Sequence, residues 1–147
     1  MWVKMKNIII NIFLLWGMIQ DIKTYKINSY YLRIGGIIAF VIFCLSIWRN
    51  NFIGKQWLIS LLPGLIFLVI AKITKEKIGY GDGYVLLILG SCFLNIKIWK
   101  LLEVSILLIT SFTIIMLAFK KITTKDKIPF LPFLWLSHLL LWGMEYV

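Results

Sequence analysis

The chain has 147 residues, of which 61% are hydrophobic and 16% aromatic, and its mean hydropathy is +0.93. A soluble domain contains roughly 45–50% apolar residues, so this composition excludes an ordinary soluble protein and indicates one membrane domain over residues 1–147. The formal net charge of +10 does not indicate a nucleic-acid partner, because basic loops beside an anionic membrane leaflet account for it.

Six apolar segments follow one another along the chain, each close to the roughly 17–25 residues that a helix needs to cross a bilayer core. Short connections that contain Lys and Arg separate them. The predicted spans are 5–22, 30–48, 56–73, 83–99, 101–119 and 128–146. The sequence therefore predicts an all-α fold, a polytopic bundle of six transmembrane helices.

The first segment has a second interpretation, because Lys4 and Lys6 precede its apolar run as basic residues do in a secretory signal peptide. A signal peptide ends at a cleavage site made of small residues. This run ends at Asp21 without such a site, which favours a transmembrane helix.

Two acidic residues lie at the edges of predicted helices. Asp21 ends the first helix, where the helix dipole disfavours a carboxylate by roughly 0.3–1 kcal/mol. Asp82 precedes the fourth helix, as an N-cap residue would, but it stands in the run Gly-Tyr-Gly-Asp-Gly at 79–83. Three glycines permit close backbone approach and unusual dihedral angles beside the carboxylate. These surroundings favour a functional role for the two aspartates.

The distribution of basic residues predicts the orientation of the chain, because Lys and Arg near helix ends are retained in the cytoplasm. The connections after the first, third and fifth predicted helices are richer in them than those after the second and fourth. Both termini are therefore expected outside, with Asp21 and Asp82 on the cytoplasmic face. Tyr25, Tyr30 and Tyr31 fall near the inner helix ends, as interfacial aromatic residues do.

Several other residues have structural explanations. His138 has no partner at metal-ligand spacing, so we expect a polar residue satisfied inside the bundle and no metal site. Cys44 and Cys92 lack a paired spacing and are expected to be small packing residues. Pro63, followed by Gly64, is expected to kink the third helix, which neighbours tolerate by bonding the freed carbonyl group.

Three motifs resemble those of the type IV prepilin peptidases and their preflagellin-cleaving relatives, which are membrane aspartic proteases of the Gly-x-Gly-Asp class. Residues 21–29 (Asp-Ile-Lys-Thr-Tyr-Lys-Ile-Asn-Ser) are similar to the motif after the family's first peptidase helix. Residues 79–82 (Gly-Tyr-Gly-Asp) match its second aspartate motif, and residues 128–133 (Ile-Pro-Phe-Leu-Pro-Phe) are similar to the run that opens its last helix. With six helices in the same order, the resemblance covers nearly the whole chain.

The resemblance implies that Asp21 and Asp82 form a catalytic pair that activates water without a cofactor or metal. It implies a prepilin-like protein substrate with a short basic leader, cut after a glycine on the cytoplasmic side of the cytoplasmic membrane. Lys23 is expected to orient a carboxylate or to contact membrane lipid phosphate. The residues expected to bind substrate or shape the site are Gly79, Tyr80, Gly81, Gly83, Lys23 and Asn28.

The chain departs from the family pattern at two positions. Asn28 replaces the Pro of the first motif and still favours a turn. Tyr84 replaces a Lys two residues after the second aspartate, which removes a positive charge near Asp82. The four-cysteine, zinc-binding insert of longer relatives is absent from the sequence, so N-methylation of the product is not expected.

Two non-catalytic interpretations stay open. A degenerate relative would bind pilin-like substrates without cutting them. An unrelated small carrier would place polar groups near the bilayer midplane, whereas the two aspartates here lie at the predicted inner edge. Presenilin-like proteases share the Gly-x-Gly-Asp element, but they have more helices and a Pro-Ala-Leu element that this sequence lacks.

Overall fold

Residues 2–48, 54–74, 79–93, 97–121 and 127–144 are described by the computed structural model of the protein, and they form six α-helices. The helices are α1 (Trp2–Thr24), α2 (Ser29–Trp48), α3 (Gly54–Ile73), α4 (Tyr80–Phe93), α5 (Lys97–Ala118) and α6 (Leu131–Met144). The predicted all-α fold is confirmed. The connections at 49–53, 75–78 and 122–126, and the predicted helix ends at 94–96 and 145–146, lie outside the described residues.

Within the described residues, four helices are long and apolar enough to cross a membrane: α1 from Lys4 onward, α2, α3 and α5. The other two, α4 and α6, are apolar but have 14 residues each, fewer than the roughly 17–25 of a full span. Large apolar side chains such as Phe40, Leu107 and Ile114 are exposed on the outside of the bundle. Apolar surface of this extent is typical of contact with lipid, and the protein is a membrane protein.

The start of α4 differs from the prediction. This helix begins at Tyr80 instead of 83, so the glycine run lies in its first turn, and the Asp82 N–H donates to the Gly79 carbonyl oxygen over 3.2 Å. A glycine disfavours a helix by roughly 1 kcal/mol relative to alanine. Close packing of Gly81 and Gly83 against neighbouring segments offsets that preference, and the sequence alone does not show this packing.

The starts of α5 and α6 also differ. The first of these helices begins at Lys97 instead of 101, so residues 97–99, which the prediction assigned to the fourth helix, belong to the first turn of α5. The second begins at Leu131 instead of 128. Pro129 and Pro132 explain this start, since Pro129 then precedes the helix and the missing N–H of Pro132 falls in the first turn, where it interrupts no intrahelical hydrogen bond.

The six helices form one bundle with α4 at its centre, in contact with α2, α3 and α5, while α6 packs against α1 and α5. One end of the bundle contains the end of α1 and the beginnings of α4 and α6. We call it the aspartate end, because Asp21 and Asp82 lie there. The fully buried large side chains of the core are Ile10, Leu14, Tyr31, Leu86, Leu89, Ile98, Leu101, Leu131 and Leu134.

Glycines form an antiparallel seam between α3 and α4. A Cβ atom at Gly64 would lie 2.6 Å from the Leu87 backbone nitrogen, and one at Gly83 would lie 2.7 Å from the Leu68 side chain. A Cβ atom at Gly90 would overlap the Ser60 carbonyl oxygen. Small residues allow such backbone approach in membrane helix pairs, so α3 and α4 pack as one unit.

The carbonyl group freed by Pro63 has a partner on another helix. Proline has no N–H, so the carbonyl oxygen of Ile59, four residues earlier in α3, lacks its intrahelical donor. The Trp99 indole N–H of α5 donates to this oxygen over 3.2 Å. The expectation that a neighbouring group compensates the proline is confirmed.

Two residue placements differ from the sequence interpretation. Tyr31 is fully buried, stacked on Phe13 with a ring distance of 4.3 Å, and is not an interfacial residue. Cys44 is exposed on α2 and is not a packing residue, whereas Cys92 is buried as expected. His138 is buried within the bundle, as predicted, next to the rings of Phe93 and Trp142.

Candidate active site

Asp21 lies in the last turn of α1 and is buried, with 6% of its surface exposed. Its carboxylate oxygen Oδ2 accepts a hydrogen bond from the Leu131 backbone N–H over 3.0 Å, and the Phe130 N–H also bonds to this carboxylate. These groups open α6, where backbone N–H groups lack intrahelical partners. Asp21 therefore caps another helix, which compensates its unfavourable position in its own.

Asp82 is the third residue of α4 and is partly buried. Its carboxyl group turns back toward the start of the helix, because a Cβ atom built on Gly79 would lie 3.5 Å from Oδ2. The negative charge of Asp21 acts on this carboxyl group. The fold thus brings the two predicted aspartates to one end of the bundle, within electrostatic range of each other.

The glycines around Asp82 serve close packing. A Cβ atom at Gly81 would lie 2.8 Å from Ile27, which follows α1, and one at Gly83 would meet Leu68 of α3. None of the glycines in the described part of the chain has a positive φ angle, so the expected unusual dihedral angles are not found. The expected close approach is found: the turn that contains Asp82 packs at Gly81 against Ile27, in the segment that follows Asp21.

The other predicted site residues lie near this end but differ in accessibility. Lys23 is exposed at the end of α1, where a cation is favourable to the helix dipole. Asn28 caps α2, since its Oδ1 accepts the Tyr30 backbone N–H over 3.1 Å. Gly79 and Tyr80 are exposed at the start of α4. Asn28 thus keeps a local turn role, as expected.

Tyr84 lies on the face of α4 opposite to Asp82, since two residues correspond to about 200° around a helix. It lines a cavity of about 400 Å³ together with Arg33 and Ser29 of α2. A second cavity of about 350 Å³ continues from Gly36 toward Trp57. The cationic side chain of Arg33 therefore lies near Tyr84, on the side of α4 away from the aspartates.

Sequence reasoning missed two contributors to the site. The first is the pair of backbone N–H groups at the start of α6, which no side-chain motif reveals. The second is Tyr31, on which the charge of Asp21 acts. Its hydroxyl donates to the Phe13 carbonyl oxygen over 3.0 Å, and its ring fills the space left by Gly17. The neighbouring residue Tyr30 is exposed. Adjacent side chains on a helix point about 100° apart. This spacing could have indicated that only one of the two tyrosines is interfacial.

The arrangement suits acid–base chemistry. The charge of Asp21 acts on the Asp82 carboxyl group, and two interacting carboxyl groups disfavour simultaneous ionisation. Such a pair can activate a water molecule. Among the described residues, His, Cys, Asp and Glu side chains form no group of three that could bind a metal ion.

Comparisons with protein-family models, with curated proteins and with solved structures find no match to this chain.

Proposed function

We propose that this protein is a membrane aspartic endopeptidase of the prepilin peptidase type, with Asp21 and Asp82 as its catalytic pair. The observation that carries the proposal is the convergence of these two carboxyl groups, from α1 and α4, at one end of a membrane-embedded bundle. Ionisable residues placed at membrane depth are costly and are a functional-site hypothesis by default.

In the proposed reaction, the charged carboxylate takes a proton from water, and the protonated carboxyl group donates to the scissile carbonyl oxygen. The substrate is a prepilin-like protein with a basic leader and an apolar helix, cut after a glycine. Glycine disfavours helix by roughly 1 kcal/mol, which makes the backbone at the cut easier to unwind.

The proposed orientation places the aspartate end in the cytoplasm of the cell, at its cytoplasmic membrane. Exposed cations at this end support it, because Lys and Arg near helix ends are retained in the cytoplasm. They are Lys23, Lys26, Arg33, Lys72, Lys120, Lys121 and Lys127. The same cations suit contact with anionic lipid headgroups.

The test is co-expression with pilin-like candidates that have a basic leader and a glycine at the cut, followed by the N-terminal mass of each candidate. We expect leader removal by the wild type and by Glu103→Gln, which removes an exposed acid of α5, but not by Asp21→Asn or Asp82→Asn. Leader removal that persists in either Asn variant would refute the catalytic pair.

A non-catalytic relative that binds pilin-like proteins is the second candidate. The capping of α6 by Asp21 favours it, because that contact explains a buried carboxylate without catalysis. Under this alternative, no candidate is cut by the folded wild type, and pilin-like proteins co-purify equally with the wild type and Asp21→Asn.

A further inference from the structure

The two carboxyl groups of the pair have different hydrogen-bond partners. Asp21 accepts from the Leu131 N–H at 3.0 Å, within a buried contact between α1 and α6, and from the Phe130 N–H. Among the described residues, no main-chain N–H donates to the Asp82 carboxyl group, which is affected by burial and by the charge of Asp21. Hydrogen bonds from N–H donors favour the charged form of a carboxyl group.

The two donors are available because of how α6 begins. The Phe133 and Leu134 N–H groups both donate to the Phe130 carbonyl oxygen, and Pro132 has no N–H. The N–H groups of Phe130 and Leu131 precede the first intrahelical bonds and are buried with their residues. A buried N–H without an acceptor is costly, so α6 requires an acceptor where Asp21 lies.

The other ionisable groups around Asp21 do not favour its neutral form through hydrogen bonds. Within the described chain, the charge of Asp21 acts on the side chains of Asp82 in α4 and Tyr31 in α2. The Tyr31 hydroxyl donates to the Phe13 carbonyl oxygen instead, and the first turn of α6 has no ionisable side chain. Lys23, on the helix of Asp21 itself, is exposed.

Helix dipoles act in opposite directions on Asp21, which lies at the C-terminus of α1 and at the N-terminus of α6, whereas Asp82 lies only at the N-terminus of α4. The dipoles alone therefore do not favour Asp21 as the charged group. The main-chain hydrogen bonds distinguish them. We propose that the first turn of α6 holds Asp21 as the charged member of the pair, so that Asp82 carries the proton. The catalytic part of this inference rests on the proposed function. In it, the Leu131 N–H is a positioning group that acts through Asp21.

The assignment gives each carboxyl group one role. Asp21 takes a proton from water as the water oxygen bonds to the scissile carbonyl carbon, and Asp82 gives its proton to the carbonyl oxygen. When the C–N bond breaks, Asp21 returns its proton to the leaving nitrogen, and one hydroxyl of the intermediate returns a proton to Asp82. Both groups end as they began.

The first measurement titrates each carboxyl group alone, by infrared spectroscopy of the full chain carrying carbon-13 aspartate in an Asp126→Asn background, which removes the third aspartate of the sequence. Asp21→Asn leaves Asp82 as the only carboxyl group of the pair, and Asp82→Asn leaves Asp21. We expect the remaining Asp82 to lose its proton at a pH at least about one unit higher than the remaining Asp21, since one unit corresponds to about 1.4 kcal/mol, within the range for a hydrogen bond to a charged group. Equal or reversed midpoints would overturn the inference.

This measurement requires no cleavage, so its outcome is separate from that of the proposed function. The expected order without any peptidase activity would leave the charge assignment standing and remove the proposed function. Leader cleavage together with the reversed order of midpoints would support the proposed function and overturn the charge assignment.

The second measurement compares Leu131→Pro with Leu131→Ala. Both remove the buried side chain, but only proline removes the N–H that bonds to Asp21, and proline suits the first position of a helix. We expect the acid limb of the pH–rate profile to lie about one pH unit higher for the proline variant than for the alanine variant. Coincident acid limbs would overturn the role of the Leu131 N–H. If the proline variant does not fold, the single-carboxyl titrations decide.

Discussion

Asp21 has two relationships in this fold, one to α6 and one to Asp82. Its carboxylate closes the first turn of α6 through the N–H groups of Leu131 and Phe130, and its charge reaches Asp82. The first relationship needs only an oxygen acceptor, whereas the second needs an ionisable group. Variants that keep one and remove the other therefore separate folding from chemistry at this residue.

Replacement of Asp21 by alanine is expected to destabilise the protein, whereas replacement by asparagine is expected to leave stability close to wild type. Alanine leaves the buried Leu131 N–H without an acceptor, which costs about 1–3 kcal/mol, and asparagine keeps a carbonyl oxygen in that place. The stability of both variants is measured by thermal unfolding, which is monitored through the reaction of a thiol dye with buried Cys92 in a Cys44→Ser background. Equal stability of the alanine and asparagine variants would contradict the capping role.

At the scale of helices, the sequence predicted more than at the scale of single contacts. Apolar length and charge indicated six helices in the correct order, and α2 was predicted to within one residue of its start at Ser29. The start of α4 was not predicted, because the glycines at 79–83 favour a turn until Ile27 and Leu68 pack against them. The burial of Tyr31 instead of Tyr30 and the bond of Asp21 to α6 depend on helix neighbours that no local pattern specifies.

The glycine seam between α3 and α4 predicts that Gly90→Ala destabilises the protein. A Cβ atom there would overlap the Ser60 carbonyl oxygen, and overpacking of this kind typically costs 1–3 kcal/mol. Gly36→Ala is the matched control, because nothing lies within 4 Å of its Cβ position, and it should be neutral or stabilising. The same thiol assay compares the two, and a Gly90→Ala variant as stable as Gly36→Ala would refute the seam.

The bond between Trp99 and α3 predicts a coupling with Pro63. Trp99→Phe removes the N–H that donates to the Ile59 carbonyl oxygen, and we expect a loss of about 0.6 kcal/mol, typical of such bonds in membranes. In a Pro63→Ala background the new N–H serves that oxygen, so the same substitution should cost less. A double-mutant cycle on unfolding free energy tests this, and additive effects would show that the carbonyl needs no external donor.

At the scale of the whole molecule, the exposed cations at the aspartate end predict which side of the membrane it faces. In a chain without Cys44 and Cys92, Tyr25→Cys places a thiol at an exposed position after α1, and Lys97→Cys places one at the start of α5. We expect a membrane-impermeant maleimide to label position 97 in intact cells and position 25 only after the cytoplasmic side is opened. The reverse pattern would place the aspartate end outside.

The contact between Asp21 and Leu131 also sets an order of assembly. The two residues are 110 positions apart in the chain, and ribosomes add roughly 5–20 residues per second, so Asp21 is made several seconds before the N–H groups that bond to it. During that interval α2 to α5 are synthesised while Asp21 has no contact with α6. The nascent chain therefore contains both aspartates before the N–H donors of its sixth helix are made, and the final surroundings of Asp21 form only when α6 inserts.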